Sequence, residues 1–137
     1  MPTSLRLSRA QLGAVLEHAR ACDPEEACGI LAGDADGTVR RVFTMLNAAA
    51  SSTFYQMDSR EQFRVFDQIE QEGLELVAIF HSHPHSPAYP SASDCELAFY
   101  PDSLYLIVSL MDNKADSRVF KILDGNVAET GITIVDK

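Results

Sequence analysis

The sequence predicts an α/β sandwich, a mixed β-sheet flanked by helices, and three observations carry that prediction. Two stretches place apolar residues at helical spacing directly behind capping signatures. One near-continuous apolar run, Leu74 to Phe80, has the composition of a strand covered on both faces. The other apolar residues fall in short extended runs separated by turn residues. Strand order does not follow from these patterns.

The elements run as follows. Ser8 to Ala21 carries Leu12, Val15, Leu16 and Ala19 on one helical face, opened by the capping box Ser8-x-x-Gln11. Glu26 to Ala32 reads as a strand with Glu26 at its start. The turn residues Asp34-Ala-Asp-Gly37 lead to a second strand, Thr38 to Leu46, which forms a hairpin-like pair with the first. A loop of small residues, Asn47 to Ser52, precedes an extended stretch from Thr53 to Met57. Ser59-x-x-Gln62 opens a second helix, with Phe63, Phe66 and Ile69 on one face and Gly73 as its stop. After the Leu74 to Phe80 strand come a short helix over Ala92 to Phe99 and a strand over Leu104 to Leu110. Two last strands, Arg118 to Leu123 and Val127 to Val135, join around Asp124-Gly-Asn126.

Composition limits the function classes. With 137 residues, 46% of them hydrophobic, the chain has apolar material for one domain over 1–137 and no room for a second. A net charge of −9 disfavours nucleic acid, whose phosphates are met by clustered Lys and Arg. The N-terminus has no apolar signal stretch, and no run approaches the roughly 18 apolar residues of a membrane span. Three cysteines, an odd number without secretory context, fit reduced thiols in the cytoplasm.

The stretch His81-Ser-His83-Pro-His85 directly after the Leu74 to Phe80 strand carries the chemistry. Side chains two apart on an extended chain share a face, so His81 and His83 can reach one ion. Asp94 returns from the following loop as a third ligand. Two imidazoles and a carboxylate suit Zn²⁺, and three protein ligands leave the fourth position to water, the mark of a catalytic zinc. Plainer readings stand beside this one. Ser91 and Asp94 have the spacing of a helix capping box, which explains both without catalysis and is compatible with a ligand role. Glu25 and Glu26 taken alone are solvated acids after Pro24. His85 extends the series to His-x-His-x-His, as in the histidine-triad nucleotide hydrolases, but those want apolar residues where Ser82 and Pro84 stand. His85 is read as a loop side chain or a group behind the ligands, His18 as a surface residue, and Cys28 and Cys95 as small buried packing residues, since no Cys-x₂-Cys spacing suggests thiolate ligation.

His-Ser-His-Pro, six residues, Ser91, two residues and Asp94, with Glu26 upstream in Pro24-Glu-Glu-Ala-Cys28-Gly29, resembles the JAMM motif of catalytically competent MPN (Mov34/PAD-1) domains. The resemblance spans roughly residues 12–110 and leaves no motif position unfilled. It implies a curved mixed sheet between helices, similar to the cytidine deaminase arrangement, and a zinc metalloprotease. His81, His83 and Asp94 are then the ligands of one zinc ion, Glu26 the general acid/base, and Ser91 a donor to the oxyanion.

The chain resembles the compact prokaryotic members, which lack the long insertions of eukaryotic deubiquitinating relatives. That likeness implies a ubiquitin-like or sulfur-carrier protein with a C-terminal Gly-Gly as partner, and release of cysteine from a carrier–cysteine adduct as the reaction. Removal of such a protein from a lysine is the alternative, followed by a non-catalytic MPN scaffold and a small-molecule amidohydrolase. A groove for an extended tail is expected, with Ala88-Tyr89-Pro90 a candidate wall. Oligomeric state is not legible.

Overall fold

The structure, a computed structural model, describes residues 4–135. Its elements are β1 (Ser4–Ser8), α1 (Arg9–Cys22), β2 (Cys28–Gly33), β3 (Val39–Met45), α2 (Ser59–Gln71), β4 (Glu75–His83), α3 (Ala92–Glu96), β5 (Leu104–Ser109), β6 (Asp116–Leu123) and β7 (Asn126–Val135). All seven strands join one sheet in the order β1-β7-β6-β5-β4-β2-β3. It is mixed: β4 runs parallel to β5 and β1 parallel to β7, the other pairs being antiparallel. The sheet is curved, because Arg6 of the first strand in the order also bridges Thr38 at the foot of the last.

β2, β4 and β5 are buried along nearly their whole length because both faces of the sheet are covered. One core cluster gathers Leu5, Leu7, Val15, Ala19, Leu31, Phe80 and Leu106 under α1. The other gathers Ile30, Val65, Ile69, Ile79, Ile107 and Phe120 under α2. Neighbours on one strand divide between the faces, as the two-residue period demands: Leu31 against Ile30, Phe80 against Ile79. His81 and His83, in step with Ile79, therefore emerge on the α2 face.

Several boundaries depart from the sequence reading. β1 was not expected, although Leu5 and Leu7 alternate with Arg6; its pairing partner lies over a hundred residues away, where local pattern is blind. The Ser8–Gln11 capping box is present in both directions, at 3.0 and 2.8 Å. α2 is capped by Asp58, whose carboxylate accepts from the Glu61 amide, and not by Ser59. Phe63 is 73% exposed; Val65, Phe66 and Ile69 form the inner face instead. The Thr53 to Met57 stretch is extended but joins no strand ladder, its one backbone bridge among the described residues being Asn47–Met57. β4 runs three residues past Phe80, so both histidines lie within it. α3 ends at Glu96 and not at Phe99. His18 is half-buried: its Nε2 meets the Met45 carbonyl at 3.0 Å and its ring stands edge-on to Phe80, so it pins α1 to the sheet.

Gly29 shows how tightly β2 and β4 are matched beside the histidines. A Cβ there would collide with the Phe43 carbonyl and the Phe80 ring, neither of which can yield without moving the strands. Gly29→Ala is expected to cost about 1–3 kcal/mol by overpacking, read as a lower urea midpoint with an unchanged slope.

Candidate metal centre

At the carboxyl end of β4 the two-residue period turns His81 and His83 toward a common point. The chain then reverses through Pro84 to Pro90, and α3 delivers Asp94 to the same point. Ser91 Oγ accepts from the Asp94 amide at 3.1 Å, and the Ser91 amide donates to Asp94 Oδ2 at 2.9 Å. The capping box and the ligand geometry coexist in one carboxylate.

The donor atoms form a nearly equilateral triangle. His81 Nε2 lies 3.1 Å from His83 Nε2 and 3.1 Å from Asp94 Oδ2, and His83 Nε2 lies 3.0 Å from Asp94 Oδ2. All three residues are buried. The far nitrogen of His83, Nδ1, is 2.7 Å from the Pro87 carbonyl, which can only accept, so Nδ1 carries the proton. When His83 is neutral its Nε2 presents a lone pair to Asp94 and His81; when it is protonated, Nε2 donates to Asp94 instead. Lone pairs this close repel unless a cation lies among them, and among the described residues these three are the group that could hold a metal ion.

Burial raises the cost of charging Asp94, yet hydrogen bonds from both histidines and the Ser91 amide hold its carboxyl well below the usual carboxylate range. Burial lowers His81 despite Asp94 beside it. At His83 burial is outweighed by the Asp94 and Pro87 contacts, and the imidazole is raised.

Glu26 precedes β2 and is 3% exposed. Its Oε1 is buried without a hydrogen-bond partner. Burial pushes the carboxyl up to about 8, with His83 pulling it down and Asp94 pushing it up, so the acid shares the field of the triangle. A buried carboxyl oxygen without a partner and a raised pKa mark Glu26 as a candidate functional residue.

The sequence reading missed three residues that build this site. Tyr55 stacks on the His81 ring, centroids 4.5 Å apart and planes 24° apart. Ser82, between the two histidines, accepts from the Ala27 amide at 2.7 Å and donates its own amide to the Ala27 carbonyl, fastening the Glu26 segment to β4. Asn47, 6% exposed, donates to the Glu26 carbonyl at 3.0 Å. An Asn in a stretch of small residues is the only local signal of that role. His85 is exposed and outside the triangle. Cys28 is fully buried opposite His81; its thiol donates to the Leu46 carbonyl and burial pushes it up to about 12. Cys95 is only partly buried.

A largely apolar cleft of about 440 Å³ is lined by Phe54, Tyr55, Met57, Ile79, Leu97 and Phe99, and Tyr55 links it to the triangle by stacking on His81. Ala88 to Pro90 do not line it: Ala88 is buried and Tyr89 stands edge-on to Phe120.

Comparison with known proteins gives a consistent result. A family profile described as prokaryotic homologs of the JAB domain matches residues 8–122. The CysO-cysteine peptidase of Mycobacterium tuberculosis is 42% identical over 133 residues, 94% of this chain and 90% of that one. The desampylase of Haloferax volcanii is 43% identical over 115 residues, covering 78% and 83%. A solution structure of a protein from Desulfitobacterium hafniense superposes with a TM-score of 0.88 at 38% identity, over 100% of this chain and 94% of that one. The crystal structure of a JAB1/MPN domain protein from Archaeoglobus fulgidus shares the fold, with a TM-score of 0.63 at 20% identity over 94% and 99% of the two chains.

Burying Glu26 has a cost that depends on pH. Its pKa is about 8 in the fold against 4.5 as the ordinary value, so folding takes up a proton between those limits and stability falls as pH rises through them. In chelator-treated protein, Glu26→Gln is expected to melt above wild type at pH 9, with the gap closing near pH 4; equal melting points at pH 9 would contradict it.

Proposed function

The chain belongs to the prokaryotic JAB-domain family, the compact JAMM/MPN enzymes, and from that premise we propose that it is a zinc metallopeptidase. Its reaction is hydrolysis of the amide bond after the C-terminal Gly-Gly of a ubiquitin-like or sulfur-carrier protein, with cysteine as the released group. One observation carries the reading: the buried triangle of His81, His83 and Asp94, with the unpartnered Glu26 carboxyl in its field.

The triangle suits one zinc ion. Tetrahedral zinc with bonds of about 2.0 Å has ligand–ligand edges of about 3.3 Å, close to the 3.0–3.1 Å separations here. His81 Nε2, His83 Nε2 and Asp94 Oδ2 would hold the ion, which would supply Lewis acidity and lower the pKa of a nearby water toward about 7. The protein's own groups supply the rest. Pro87 fixes the His83 tautomer, and Tyr55 holds the His81 ring plane. Glu26 takes the water's proton at a carboxylate oxygen and delivers it to the departing amine, a two-way role that its raised pKa suits. The Ser91 oxygen already accepts from the Asp94 amide, which leaves its hydroxyl proton to donate to the developing oxyanion.

The cleft supports this choice of substrate. Tyr55, which lines it, stacks on the His81 ring, and its largely apolar lining has room for an extended segment of main chain. A Gly-Gly tail is such a segment. The relatives are named for work of this kind, CysO-cysteine peptidase in one case and desampylase in another. Three free thiols and no helix long and apolar enough to cross a membrane among the described residues support a cytoplasmic place of action. A single domain over residues 1–137 is part of the same reading.

The decisive experiment follows intact mass. A Gly-Gly carrier bearing a C-terminal cysteine, incubated with zinc-loaded protein, is expected to lose the cysteine mass with wild type and not with Glu26→Gln, while both hold one zinc. Ser91→Ala should keep the metal and lower kcat roughly 100- to 1,000-fold, the usual cost of one oxyanion donor. A chelator should abolish turnover and zinc restore it. If zinc-loaded wild type leaves both this adduct and a carrier joined to lysine intact, the peptidase reading fails.

A further inference from the structure

Asn47 is the most connected polar side chain among the described residues, and the mechanism above gives it no part. It sits in the loop after β3, 6% exposed, and spends its whole amide on main chain. Nδ2 donates to the Glu26 carbonyl at 3.0 Å, to the Phe54 carbonyl at 3.1 Å and, more weakly, to the Ser51 carbonyl at 3.5 Å. Oδ1 accepts from the Ala49 and Gln56 amides, both at 3.0 Å. The Glu26 amide in turn donates to the Ser51 carbonyl at 2.8 Å.

Two functional parts meet at this side chain. One is the main chain of Glu26, whose carboxyl has no hydrogen bond of its own at Oε1 and takes its position from the backbone beneath it. The other is the stretch Phe54 to Gln56, which forms one wall of the cleft and carries Tyr55 onto the His81 ring. That stretch is outside the sheet's ladders; the Asn47–Met57 bridge and the Ala48 amide, which donates to the Gln56 carbonyl at 2.7 Å, join it to the loop after β3, and Tyr55 rests on His81. Among these ties the Asn47 side chain is the one that bonds both the Glu26 main chain and the Phe54–Gln56 wall.

We propose that Asn47 is a positioning residue for the hydrolysis: one buried amide that fixes the Glu26 main chain and the Phe54–Gln56 wall in a common frame, so that a tail lying along the wall meets the acid in register. The inference rests on the metallopeptidase reading. It assigns Asn47 no contact with substrate or metal. Its loss acts through the placement of Glu26, and a displacement of about 1 Å at a reacting group can cost about 100-fold in rate.

The test uses the zinc-loaded full chain with a Gly-Gly carrier–cysteine adduct, comparing wild type, Asn47→Asp and Asn47→Ala. Asp keeps an acceptor for the Ala49 and Gln56 amides and has no amide to offer Glu26 and Phe54; Ala keeps neither. Both variants are expected to hold one zinc per chain and to lose about 100-fold in kcat at pH 8, with KM within about threefold of wild type. A kcat within twofold of wild type in Asn47→Asp would overturn the proposal. So would failure of both variants to fold or to hold zinc, which would make Asn47 a structural strut. Wild type that cleaves no carrier while holding zinc would instead sink the metallopeptidase reading, so the two failures are distinguishable.

Discussion

Three atoms that each offer a lone pair, held about 3 Å apart in a site that is closed to solvent, repel one another, and much of this fold is arranged to hold them there. The chain sets His81 and His83 two residues apart on a strand clamped by β2 on one side and β5 on the other. It brings Asp94 back on a five-residue helix too short to be stable alone, whose capping box is the same carboxylate that faces the imidazoles. Pro87 removes the last freedom of His83 by fixing its proton on the far nitrogen. A cation turns this repulsion into attraction.

The acid follows a different logic. Glu26 is placed by its backbone, not by partners for its carboxyl: Ser82 grips Ala27 in two directions, and Asn47 and Ser51 hold the Glu26 carbonyl and amide. Burial without a partner works against stability, and the surrounding packing, such as Phe80 seated flush on Gly29, has to carry it. Proteins commonly trade stability for function in this way at reacting groups.

What the sequence disclosed and what it hid divide along one line. His81 and His83 were legible because the two-residue period of a strand is local, and Asp94 because a capping box is local too. The Ser8 cap, the Gly73 stop and the Asp124–Gly125 turn, with φ of +70° at Gly73 and of +51° and +80° at the turn, were legible for the same reason. β1 was missed because its partner is β7, and Asp58 was passed over for Ser59 because either residue can cap and only geometry chooses. Tyr55, Ser82 and Asn47 gave no signal because their value lies in contacts made across the sheet. Asn47 looked like loop composition until Glu26, 21 residues earlier in the chain, was found against its amide. The curvature of the sheet came from resemblance, and periodicity had nothing to say about it.

Cys28 bears on how the centre could be attacked chemically. It pairs across the ladder with His81, near enough to tempt thiol-directed reagents, yet its sulfur is closed off and bonded to the Leu46 carbonyl, with a pKa of about 12. A thiol in that state offers almost no thiolate at neutral pH, so electrophiles and peroxides find little to react with. The enzyme thus keeps a cysteine beside its reactive centre without inheriting a cysteine's weakness. Covalent capture of this sulfur is disfavoured by its burial and its hydrogen bond to the Leu46 carbonyl.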